Sequence, residues 1–192
     1  VENQTYIHYR KGSLVMYALK DYLGEATVNR VLAEFIDDYK FQEPPFTTSG
    51  ALVERFEAAA PDSLRGFVGD LFREITLYEN RATEATYTET DDGRYRVDLT
   101  INARKLQADS LGTESPVAMD AYVDIGVFAT DADVGSSEQQ TLYLKKHRLT
   151  DGEQTVSVTV DEKPAQAGVD PYVVLIDRNT DDNLTDVVPA EE

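Results

Sequence analysis

Four tyrosines and a histidine crowd the stretch TYIHYRKGSLVMYALKDYLGE, residues 5–25, which otherwise reads as the start of an amphipathic helix. A tyrosine hydroxyl has an unperturbed pKa of about 10, so it stays a neutral hydrogen-bond donor near pH 7. Such a donor at a helix start could hold a developing negative charge. By residue type alone, Tyr9 is more simply an amphipathic tyrosine at a helix end. The second stretch with possible chemistry is DRNTDDNLTD, Asp177 to Asp186, where Asp177, Asn179, Asp181 and Asn183 place oxygen groups at alternate positions. A calcium loop of the EF-hand type would need Gly sixth and Glu twelfth, and the chain has Asp182 and Val188 there. An Asx-capped polar turn is the expected structure, since Asn and Asp are common turn formers. His147, in LKKHRL, reads as a solvent-facing strand residue in a basic patch.

Other sources of chemistry are missing from the sequence. With two histidines and no cysteine, it contains neither H-E-x-x-H nor a thiolate zinc site, and it has no Gly-rich phosphate loop or G-x-S-x-G elbow. Taken alone, the chain does not read as a complete enzyme. A net charge of −18 argues against nucleic acid or an anionic membrane surface as partner. Most of that charge sits in the second half, where residues 85–192 carry 22 acids against nine bases. No apolar run approaches the roughly 20 residues needed to span a bilayer. The opening VENQTY lacks an initiating Met and the charged, apolar start of a secretory leader, so we expect a soluble piece of a longer chain.

The elements that would position these residues change character partway along. In 5–24, Leu14, Val15, Ala18, Leu19 and Tyr22 recur at helical spacing and Gly24 supplies a stop. A second helix over 26–41 would bury Val28, Val31, Leu32, Phe35, Ile36 and Tyr39 before EPPF ends it. Thr48 or Ser49 caps a third, and PDSLRGFVGDLFREI forms a fourth with Leu64, Phe67, Val68, Leu71, Phe72 and Ile75 on one face. The period then falls to two. After the Asp-Gly turn, Tyr95, Val97, Leu99, Ile101 and Ala103 alternate with polar residues. ATEATYTET, VAMDAYVDIGVFA, TLYLKKH, QTVSVTV and YVVLI add further short strands, with VVPAEE expected to fray. The expected class is α+β in two domains: a small all-α unit over 1–82, then an antiparallel β-sandwich over 83–192.

Within this frame, Tyr9-Arg10-Lys11-Gly12, the apolar helix after it and the turn Leu23-Gly24-Glu25 resemble a segment of the gluzincin zinc aminopeptidases, the relatives of aminopeptidase N and leukotriene hydrolase. In that family the segment follows the metal site. VNRVLAEFIDDYKFQEPPFTTSGALVERFEAAA is similar to the family's next helices, and LRGFVGDLFREI falls where its last catalytic-domain helix precedes a β-sandwich. DPYVVLIDRNTDDN resembles the end of bacterial members whose peptidase module follows transporter-permease-like membrane segments. The resemblance implies a C-terminal fragment of a hydrolase that removes N-terminal residues from peptides by metal-activated water. Tyr9 would donate its hydroxyl to the oxyanion. The zinc would belong to H-E-x-x-H and a later Glu upstream of Val1, leaving this chain with no metal or cofactor ligand, and His8 matches no ligand position. The implied partners are that upstream part and the peptide substrate, in a parent associated with the bacterial inner membrane. The fragment alone would be inactive. The alternative is a non-enzymatic helical and β-sandwich interaction module assisted by calcium.

Overall fold

The computed structural model describes residues 10–129 and 140–191, which divide between Thr76 and Leu77 into two compact units. The first is helical. Helix α1 (Gly12–Leu23) buries Val15, Ala18 and Leu19, one turn apart on a single stripe. It stops at Gly24, whose φ of 83° suits a residue without Cβ, and whose N–H donates back to the Lys20 carbonyl. Helix α2 (Glu25–Tyr39) starts at once, with the Glu25 carboxylate at its positive end. Helix α3 (Ser49–Ala59) buries Val53 and Phe56, and α4 (Arg65–Phe72), entered through a 3-10 turn at Asp62–Leu64, buries Val68 and Leu71.

Polar and aromatic contacts fasten these helices. Arg55 of α3 donates to Asp38 at 2.5 Å and lies over the rings of Phe35 and Tyr39 of α2. Arg73 forks onto Glu57 at 2.6 and 2.8 Å, and the ring centroids of Tyr22 and Phe67 stand 4.1 Å apart. The expected core is only partly buried. Val28 and Val31 are covered, but Ile36 is 59% exposed, and in the loop after α2 Phe41 and Phe46 are 97% and 69% exposed.

The second unit carries eight strands: β1 (Ile75–Glu89), β2 (Tyr95–Ala108), β3 (Glu114–Val117), β4 (Asp120–Phe128), β5 (Thr141–Thr150), β6 (Gly152–Val160), β7 (Gln166–Val169) and β8 (Leu184–Pro189). They join in the order β3-β2-β1-β8-β7-β4-β5, with β6 pairing β2 beside β3. The result is one mixed, curled sheet rather than a clear antiparallel sandwich, because β8 joins the two groups of strands. Its first half pairs antiparallel with β7 (Ala167↔Thr185), and its second half runs parallel to β1 (Ala85↔Val187). Gly168 permits the close approach at β7, where a Cβ would stand 2.0 Å from the Asn183 carbonyl oxygen.

The alternation expected in β2 is observed: Val97, Leu99, Ile101 and Ala103 are at most 1% exposed. On β4, Val123, Ile125, Val127 and Phe128 are fully buried as well. Three expectations differ from the structure. β1 begins at Ile75, before ATEATYTET, so Ile75 opens a strand rather than closing a helix face. YVVLI is not a strand: Asp170 and Val173 take positive φ, and the segment turns. VVPAEE is not frayed at its start, since Val187 to Pro189 pair with β1 and the Ala190 N–H donates to the Tyr87 carbonyl. Among the described residues, no helix is long and apolar enough to cross a membrane.

Candidate functional site

Tyr9 and His8 lie outside the described residues, which begin at Arg10. There Lys11 donates from Nζ to the Glu74 carbonyl oxygen at 3.1 Å, and burial holds its ammonium below the usual lysine range. The lysine of Tyr-x-Lys-Gly therefore anchors the entry of α1 to the chain leaving α4. Ser13 adds a local bond from Oγ to the Arg10 carbonyl at 2.9 Å. A small recess of about 170 Å³ opens beside this entry, lined by Lys11, Gly12, Val15, Leu71 and Phe72. Its walls are mostly apolar, which suits a covering side chain better than a charged group.

In the Asp177–Asp186 loop the Asp177 and Asp182 carboxylates are bonded within the protein. Asp177 accepts the backbone N–H of Asn80 at 2.8 Å and of Asn179 at 3.0 Å, the second closing an Asx turn. Burial raises its carboxyl above the usual range despite those two donors. Asp182 takes Arg81 at 3.1 Å and the Asn179 amide at 2.8 Å, while the Asn183 amide turns inward to the Asp170 carbonyl. Among the described residues no group of three or more His, Cys, Asp or Glu could hold a metal ion.

His147 is not a free surface imidazole. It lies half-buried on β5 opposite Val123, and its Nε2 stands 2.7 Å from the Tyr143 hydroxyl. Burial, helped by Lys145, lowers its pKa. The basic patch around it is largely neutralised, because Lys146 pairs with Asp124 at 2.6 Å and Arg148 forks onto Asp120.

Two features escaped the sequence reading. Asp170 is 1% exposed and accepts the N–H groups of Val174 and Leu175 at 2.9 and 3.0 Å, so it shapes the turn that replaces YVVLI. Burial, with Asp124 adding to it, lifts its carboxyl to about 7 against the opposing pull of those N–H groups and Lys146. The Asp-Pro pair at 170–171 was the available signal, since Asp-Pro favours turn initiation. The other is a cleft of about 440 Å³, bordered by strand residues of β1 and β2 and by the loop that holds Arg178. Its residues are scattered over a hundred positions, so no local motif announces it.

No family model matches the chain, and no curated protein matches it either.

Proposed function

We propose that this chain is the C-terminal part of a gluzincin-type zinc aminopeptidase, with α1–α4 closing the catalytic domain and the β unit following it as a sandwich-like support. The carrying observation is the ordered pattern that begins at Tyr9-Arg10-Lys11-Gly12: an apolar helix, a glycine break at Gly24, three further helices, then strands. Lys11, the third residue of that pattern, bonds to the Glu74 carbonyl and so ties the start of α1 to the chain leaving α4.

Under this assignment Tyr9 is the residue of this chain that touches the reacting atoms. Its neutral phenol donates to the peptide carbonyl oxygen as that oxygen gains charge. Under the same assignment the zinc ligands, H-E-x-x-H and a later Glu, would lie upstream of Val1, in a parent proposed to be tethered to the bacterial inner membrane. The calcium-assisted interaction module is the weaker alternative, since the carboxylates of Asp177 and Asp182 are already bonded within the protein.

The test is Tyr9→Phe in the intact parent enzyme, assayed on an aminoacyl p-nitroanilide. Loss of one oxyanion donor should lower kcat by about 10²–10³-fold with little change in KM. Unchanged kcat, or a parent without H-E-x-x-H, would remove the assignment.

A further inference from the structure

Strand alternation puts Glu79, Arg81 and Thr83 of β1 on one face, together with Asn102 and Arg104 of the neighbouring β2. The residues next to them, Ala82, Ile101 and Ala103, are buried on the opposite face. The loop after β7 closes the cleft with Arg178, Asn179 and Asp182. Three arginines line the cleft, and each already has a carboxylate partner: Arg81 with Asp182, Arg104 with Glu79, and Arg178 with Glu114 just outside the lining.

The arginines are not equivalent. Arg178 forks onto Glu114 at 2.9 and 2.8 Å and reaches Glu79 only at 3.8 Å, so its donors are committed. Arg104 places Nη1 on Glu79 at 3.2 Å, and Arg81 places Nε on Asp182 at 3.1 Å. A guanidinium carries five N–H donors in a planar fork. Arg81 and Arg104 therefore hold most of theirs in reserve, with the two acidic neighbours already bonded. A planar carboxylate matches that fork. The amides of Asn102 and Asn179 beside it suit a hydroxyl or amide on the same ligand, and the volume lies in the usual range of small-molecule sites, roughly 300–1,000 Å³.

We propose that this cleft binds a small organic carboxylate through Arg81 and Arg104. It lies in the β unit and does not depend on the peptidase assignment.

The test is a titration of the 15N-labelled 192-residue chain with N-acetylglycine, followed by its amide resonances. N-acetylglycinamide, which lacks the carboxylate, and inorganic phosphate serve as parallel probes. Saturable shifts confined to 79–83, 102–104 and 178–182 are expected with N-acetylglycine, with none from N-acetylglycinamide. Arg104→Lys keeps the cation beside Glu79 but loses the fork, and should weaken binding tenfold or more with the remaining spectrum unchanged. Arg81→Gln should do the same while Asn179 still holds Asp182. The proposal is overturned by the absence of saturable shifts, by an equal response to N-acetylglycinamide, by tighter binding of phosphate, or by full affinity in both variants.

Discussion

The two units of this chain bury apolar surface to different depths. In the β unit β2 and β4 contribute Val97, Leu99, Ile101, Val123, Ile125, Val127 and Phe128, each at most 1% exposed. Among the described residues of the helical unit only Ala18, Leu19, Val31, Phe56 and Val68 reach that level, and Ile36, Phe41 and Phe46 face solvent. Burial of apolar area is the main favourable term in folding, so the β unit should be the more self-sufficient.

Urea unfolding should therefore show two transitions, the helical one first. Phe128→Ala should lower the stability of the second transition by about 3–5 kcal/mol, and Leu19→Ala that of the first by about 2–5 kcal/mol. Each should leave the other midpoint in place. If either variant moves both midpoints equally, the units fold as one body and the comparison fails.

A second effect is confined to the β unit and follows pH. The Asp170 carboxyl titrates at about 7 in the folded protein and at about 3.9 in an unfolded chain. The folded state keeps a proton that the unfolded chain gives up in between. This share of the stability is complete below about pH 4 and is lost as pH rises to about 7, on the order of 4 kcal/mol in all. The stability difference between wild type and Asp170→Asn cancels the other carboxylates, and should fall across that window and level off above it. A difference that does not vary with pH would show that Asp170 titrates normally.

The smallest effect concerns Asn80. It is 1% exposed on the covered face of β1, between Tyr78 and Ala82, and neither atom of its side-chain amide has a hydrogen-bond partner among the described residues. Asn80→Leu removes that buried polar group while keeping the branched four-atom side-chain skeleton. The second transition should hold its midpoint or gain about 1 kcal/mol. A loss above about 2 kcal/mol would mean that the amide makes bonds in solution.

Asn80 also explains part of what the sequence concealed. The inward positions of β1 read Thr76, Tyr78, Asn80 and Ala82, too polar to announce a period of two, so the strand was recognised only from ATEATYTET onward. β2 was legible because its inward positions are uniformly apolar. YVVLI misled for the opposite reason: its apolar run looks like a strand, while Asp170, far away in chemical character, bends it by accepting two backbone N–H groups. β7 has four residues, all buried, and so offers no alternation to read. For the site, the Tyr9 motif was visible as consecutive letters. The carboxylate cleft was not, because it exists only once β1, β2 and the 178–182 loop converge.

The parallel pairing of β8 with β1 joins the last strand of the unit to its first, in a contact that spans about a hundred residues of sequence. Closing so long a loop carries an entropic cost that local contacts cannot offset early. On the ribosome, β1 would emerge long before its partner, with the edge that β8 later covers still unpaired. The β unit therefore completes its sheet only once residues 184–189 have emerged, so a translation product that stops short of Leu184 leaves β1 and β7 each with an open edge.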